Sequence, residues 1–131
     1  MSRAVVEAMR DASEWFVDMD ELNMKAGQII ARFTGAEAGL VTAGSAAGML
    51  LEAAACIAGT DPAKRDRLPD TTGMKNEIVI HRVHRVNYDH SFRAAGAKLV
   101  EIGDRFSTQE WELENAITEN TVAVAYIFAH P

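Results

Sequence analysis

Two short stretches hold residues whose types and spacing could do chemistry. The first is Thr42-Ala43-Gly44-Ser45-Ala46-Ala47, where a short apolar run enters a turn of small residues and a helix-forming run follows. The first amides of a helix have no partner within it, and the helix dipole is positive there. Small side chains let a phosphate approach those amides, and the Ser45 hydroxyl adds a donor. The stretch lacks the Gly-Lys-Ser/Thr ending of a P-loop and is not a GxGxxG fingerprint. Read plainly, the same residues are a serine N-cap before a closely packed helix.

The second stretch is His81-Arg82-Val83-His84-Arg85-Val86-Asn87-Tyr88-Asp89-His90, with three of the chain's 4 His residues and two Arg. A metal site fits poorly, because no Cys accompanies the His residues and the Arg side chains repel a cation. An anion or aromatic-ring site fits better: Arg offers a fork for phosphate or carboxylate, and His offers a flat ring. The plainer account is a solvated helix start capped by Asn87 or Asp89. A third set, Lys64, Arg65, Arg67 and Lys75, falls in a charged loop over residues 59–76. It could meet an anionic substrate, although a solvated surface loop explains it more simply. No GxSxG elbow or HExxH is present.

The elements that must position these stretches follow from hydrophobic period and stop signals. Residues 3–16 read as an amphipathic helix through Val5, Val6, Met9, Ala12 and Phe16. Asp18 or Asp20 caps a second helix through Met24, Ile29, Ile30 and Phe33, stopped by Gly35. Residues 39–42 read as a buried strand and 46–58 as a helix ended by Gly59, with a short helical turn possible at Pro62. The second half alternates: strand 77–80, helix 88–95, strand 98–102, a Ser107-x-x-Glu110 capping box opening a helix through Trp111, Leu113 and Ile117, and a strand over 121–127. Strands apolar on both faces and separated by helices imply a parallel sheet covered on both sides. Its carboxyl ends, where open parallel sheets bind ligands, fall at residues 42–45, 81–84, 103–104 and 129–130.

Composition sets the outer limits. The 131 residues are 48% hydrophobic and 24% charged, enough for one domain or part of a larger one. A formal net charge of -6 argues against a broad nucleic-acid footprint but not against one small anion. The single cysteine, Cys56, lies in an apolar run and reads as a buried thiol; it fits a cytoplasmic protein. No signal-peptide pattern opens the chain, and its most apolar run, 46–58, is too short to span a bilayer.

With both sites placed, the sequence resembles a known family. Asn76-Glu77-Ile78-Val79-Ile80-His81-Arg82, Ser91-Phe92-Arg93, Gly96-Ala97-Lys98-Leu99-Val100-Glu101-Ile102-Gly103 and Glu114-Asn115-Ala116-Ile117-Thr118-Glu119-Asn120-Thr121 resemble bacterial selenocysteine synthase and its relatives. Residues 61–76, with His84-Arg85, Tyr88-Asp89 and Ala94-Ala95-Gly96-Ala97, look like the branch of D-glucosaminate-6-phosphate ammonia-lyase-type enzymes. The resemblance covers nearly the whole chain. It implies an α/β fold: a partial three-layer α/β/α arrangement with a mostly parallel sheet, part of the aspartate-aminotransferase-like (fold type I) large domain. Residues 1–35 would be N-terminal helices and 36–131 the alternating strands and helices of one partial domain.

The resemblance implies pyridoxal 5'-phosphate as cofactor, with Gly44, Ser45 and Ala46 as phosphate cup and His84 stacked on the pyridine ring. Arg82 and Arg85 would meet a small anionic amine substrate, with Tyr88 and Asp89 as weaker candidates. Expected reactions are ammonia elimination or replacement at the beta carbon, on an amino-sugar phosphate or amino acid. A seryl-tRNA substrate is the alternative within the class, and non-catalytic binding of the cofactor or of phosphate is the alternative outside it. Such chemistry needs a Schiff-base Lys and an acidic partner for the ring nitrogen. In the family both lie later than the last residue here, and Lys25, Lys64, Lys75 and Lys98 match neither context. The expectation is therefore a piece shortened at both ends, inactive in isolation and prone to assemble as a homo-oligomer.

Overall fold

A computed structural model describes residues 1–128, in two compact units that meet in sequence between Thr42 and Ala43. The first unit holds α1 (Arg3–Ala12) and α2 (Met19–Thr34). Ser2 caps α1, and the helix ends at Ser13 rather than continuing to Phe16, because the Ser13 hydroxyl and amide both turn back on the Arg10 carbonyl. Asp18 caps α2 by accepting from the amides of Asp20 (2.9 Å) and Glu21 (3.0 Å), and Gly35 ends it at φ 74°. Asp18→Ala is expected to cost about 1 kcal/mol, read as lost helicity and a lower urea midpoint.

The strand expected at residues 39–42 does not form. The backbone there is engaged by α2 instead. The Val41 amide donates to Asn23 Oδ1 (3.2 Å), and Gly39 lies so close to Gly27 that a Cβ on Gly27 would sit 2.1 Å from the Gly39 carbonyl oxygen. An apolar run becomes a strand only when a neighbouring strand takes its hydrogen bonds, and among the described residues none pairs with this one.

The second unit is α/β. It contains α3 (Ser45–Ala58), α4 (Pro62–Arg67), β1 (Glu77–His81), α5 (His90–Ala94), β2 (Lys98–Ile102), α6 (Glu110–Ala116) and β3 (Thr121–Ala125). The three strands form a parallel sheet in the order β2-β1-β3, with Glu77 opposite Lys98 and His81 opposite Ile102. Ile78, Val79 and Ile80 point alternately to opposite faces, and all three are buried, so β1 is covered on both sides. Ala53 and Ile57 of α3 pack with Ile78, Ala95 and Ala97 in the core, and small residues on α3 allow that close approach.

Several boundaries move from their expected places. The expected helix over 88–95 is a 3-10 turn (Asn87–Asp89) followed by the short α5, and a separate 3-10 turn, Arg82–His84, precedes it. The capping box of α6 is Gln109 with Glu112, two residues beyond Ser107 and Glu110, because Asp104 already takes the Ser107 amide at 2.8 Å. The strand expected to reach Ile127 ends at Ala125. Cys56, expected to be buried, is exposed: Ala53, Ile57 and Ala58 form the inner stripe of α3. The expected strand end at 129–130 lies outside the described residues. No helix is long and apolar enough to cross a membrane among the described residues.

Candidate functional site

The turn before α3 carries no side-chain cap. Gly44 is the N-cap with φ 156° and brings no side chain to the end of the helix, and the first turn holds no acidic residue. Gly44, Ser45 and Ala46 are all exposed, and the first intrahelical bond runs from the Gly48 amide to the Gly44 carbonyl (3.0 Å). Ser45 therefore stands inside the helix and is not its cap, as the plainer sequence account required. The donors at this end are the amides of residues 45–47 and the Ser45 hydroxyl, with no carboxylate nearby in sequence to oppose an anion.

A cavity of about 550 Å³ opens between α3 and the sheet. Met49, Glu52, Ala53 and Cys56 line it from α3, His84 and Asp89 from the segment after β1, and Ala123 to Ile127 from β3 and its extension. Ser45 precedes Met49 by four residues, so both lie on one side of α3 and the lined stripe runs back towards that turn.

His84 sits at the carboxyl end of the sheet, half-buried and surrounded by rings. Its centroid is 5.1 Å from that of His81 and 5.0 Å from that of Tyr126, both edge-on. The Ile127 amide donates to His84 Nδ1 at 3.5 Å, and His81 Nδ1 is 2.9 Å from the Thr108 hydroxyl.

The other candidates are held differently. Asp89 is 4% exposed and pairs with Arg85 and with Arg93 (3.4 Å). Hydrogen bonding from Arg85 holds the Asp89 carboxyl below the usual carboxylate range, although burial opposes this; the positive charge of Arg93 adds to it. Arg85 also pairs with Glu101, and these carboxylates raise its own pKa, the Asp89 hydrogen bond first. Arg82 makes a looser pair with Glu101 at 3.4 Å, its side chain 62% exposed. Tyr88 is exposed. The structure thus brings His84 and Asp89 to one cavity, while Arg82, Arg85 and Asp89 form one ion-pair cluster across β2. Arg65 and Arg67 of the basic loop pair locally with Asp66 and Asp70.

Sequence reasoning missed Tyr126, Glu101 and Arg93. Tyr126 could have been found, since it follows the last strand at the carboxyl edge where parallel sheets bind ligands. Glu101 and Arg93 gave no local signal. Among the described residues no group of three His, Cys, Asp or Glu could hold a metal ion.

No protein-family model matches the chain. It is 37% identical over 130 residues to D-glucosaminate-6-phosphate ammonia lyase of Salmonella typhimurium, covering 96% of this chain and 35% of that one. It is 37% identical to 5'-C-glycyluridine monooxygenase-decarboxylase of a Streptomyces species (97% of this chain, 33% of that one). L-seryl-tRNA(Sec) selenium transferase of Actinobacillus pleuropneumoniae is 32% identical (90% and 24%). A solved structure of D-glucosaminate-6-phosphate ammonia-lyase superposes with a TM-score of 0.94 at 36% identity, over 99% of this chain and 36% of that one. The chain spans about a third or less of the length of these relatives.

Proposed function

Because the chain belongs to the selenocysteine-synthase-like family of fold type I, pyridoxal-phosphate-dependent enzymes, we propose that it supplies the cofactor-phosphate part of a lyase or transferase. The observation that carries this reading is the N-terminus of α3, which has no side-chain cap and whose lined face runs into the cavity that His84 borders. The donor set fits a phosphate: first-turn amides, a serine hydroxyl, a positive dipole end and no acidic residue in the first turn.

Gly44, Ser45 and Ala46 would hold the phosphate of pyridoxal 5'-phosphate, and His84 would lie against its ring. The bound cofactor supplies an electron sink for breaking bonds at an amino-bearing carbon. Ser45 donates its hydroxyl to the anion and leaves the helix amides aimed at it. Gly44 brings no side chain to the turn, and among the described residues a Cβ there would meet nothing within 4 Å. Arg82, exposed and held by one loose ion pair, is the better placed of the two arginines to meet an anionic substrate group. Arg85 and Asp89 hold the segment that carries His84, and Tyr88 is left as an exposed candidate at its rim.

Ammonia elimination from a small anionic amine, an amino-sugar phosphate or an amino acid, is the preferred reaction; the ammonia lyase relative supports it. The acidic balance of the chain, -6, speaks against a tRNA substrate for this region. We place the protein in the cytoplasm as a homo-oligomer, for which the exposed apolar Val5, Val6 and Met9 of α1 offer a surface.

Titration of the ¹⁵N-labelled protein with pyridoxal 5'-phosphate tests the reading. The amides of residues 45–47 should move saturably, and Ser45→Ala should weaken binding about tenfold, as loss of one hydrogen bond to a charged group implies. Shifts scattered over the surface, with none in the first turn of α3, would remove the basis for it.

A further inference from the structure

We propose that Tyr126 and the Ile127 backbone amide are positioning groups for His84, fixing its ring orientation and holding it in the tautomer with the proton on Nε2. The geometry stands on its own; its use in cofactor binding rests on the reading above.

A backbone N–H can only donate, so the ring nitrogen that receives the Ile127 amide must be unprotonated. That nitrogen is Nδ1, at 3.5 Å. A neutral imidazole carries its proton on the other nitrogen, so Nε2 is the donor of this ring. At 3.5 Å the bond is long and would not hold a ring by itself. Tyr126 supplies the rest. Its ring meets that of His84 at 5.0 Å and 78°, within the range in which edge-to-face pairs attract.

His81 closes the opposite side at 5.1 Å and 61°, and is itself anchored by the Thr108 hydroxyl at 2.9 Å. Tyr126 also lies 6.3 Å from His81 at 74°, so the three rings form one mutually edge-on group. His84 is thus gripped by β1's last residue and by the two residues after β3, on adjacent strands of the sheet. The ring still borders the cavity. Tyr126 lines the same cavity, and the role assigned to it here is exerted on His84.

The tautomer is read directly from long-range ¹H–¹⁵N spectra of the full chain labelled in histidine, above the pH range in which imidazole is protonated. Wild-type His84 should show Nδ1 unprotonated and Nε2 protonated. Tyr126→Phe keeps the ring and should leave those signals in place. Tyr126→Ala should give a mixture of tautomers and weaken pyridoxal 5'-phosphate about fivefold, the scale of one lost aromatic pair. Tyr126 is 63% exposed, so its truncation opens no buried void, and the wild-type spectrum needs no variant. A wild-type ring protonated on Nδ1, or His84 signals unchanged in the Ala variant, overturns the proposal. The expected tautomer and variant pattern, with His84 signals that ignore added pyridoxal 5'-phosphate, supports the positioning and overturns the cofactor reading, so the two failures are distinguishable.

Discussion

Gly96→Ala should lower the stability of the protein by about 3 kcal/mol, read as the urea midpoint of the second unit. Gly96 closes the turn between α5 and β2 at φ 95°, a conformation that a side chain resists. The Cβ would also lie 2.3 Å from the Pro69 carbonyl oxygen and 2.7 Å from Thr71 Cγ2. The first of these is backbone and cannot swing aside. The Gly96 carbonyl meanwhile accepts from the Thr71 hydroxyl (3.1 Å) and Asn76 Nδ2 (3.3 Å), so any shift at the turn strains the loop that leads into β1. A variant that unfolds with the wild type would show that the loop and turn are not in contact.

Replacing Asp89 by Asn should cost about 2 kcal/mol near neutral pH and change the shape of acid unfolding. Removing one partner of a buried ion pair leaves the other charge uncompensated, at about 3 to 5 kcal/mol when both are buried. Here the carboxylate is buried, but Arg85 and Arg93 are 29% and 53% exposed, and water recovers part of the loss. Arg85, then Arg93, depress the Asp89 pKa from its ordinary 3.8 in the folded chain, over the opposing effect of burial. The folded state therefore binds this proton less readily than the unfolded one. The stabilisation is complete above the ordinary aspartate value and is lost as the pH falls through the depressed one. The wild type should lose stability below about pH 4, and the Asn variant should lack that contribution. Identical acid limbs for the two proteins would count against the cluster.

Much of the secondary structure of both units was legible because its signals are local. Ile78-Val79-Ile80 and Leu99-Val100 read as strands from side-chain type alone, and Gly35, Gly59 and Asp18 mark helix ends by chemistry confined to one turn. The strand expected at 39–42 failed because strand formation is decided by a partner; the hydrogen bonds of Val41 go to Asn23, 18 residues away. The cap of α6 slipped because Asp104 competes for Ser107, and a pattern match cannot see a competitor. At the candidate site, the start of α3 after Gly44 was readable, since a helix terminus is a local object. The commitment of Arg85 to Glu101 was not, because it joins residues on different elements.

The order β2-β1-β3 also bears on how the sheet can be assembled. Every pairing in it is parallel and joined by a crossover, so no hairpin is available to form first, and each ladder must close a loop before any hydrogen bond repays it. The loop from Glu77 to Lys98 is shorter than that from Glu77 to Thr121, so the ladder of β1 with β2 closes at the smaller entropic cost. β1 belongs to both ladders. Its three buried residues form the template on which the other strands condense, and the ring group at its carboxyl end is completed only when β3 arrives. In kinetic terms, the candidate site is expected to be completed late in the chain's own folding.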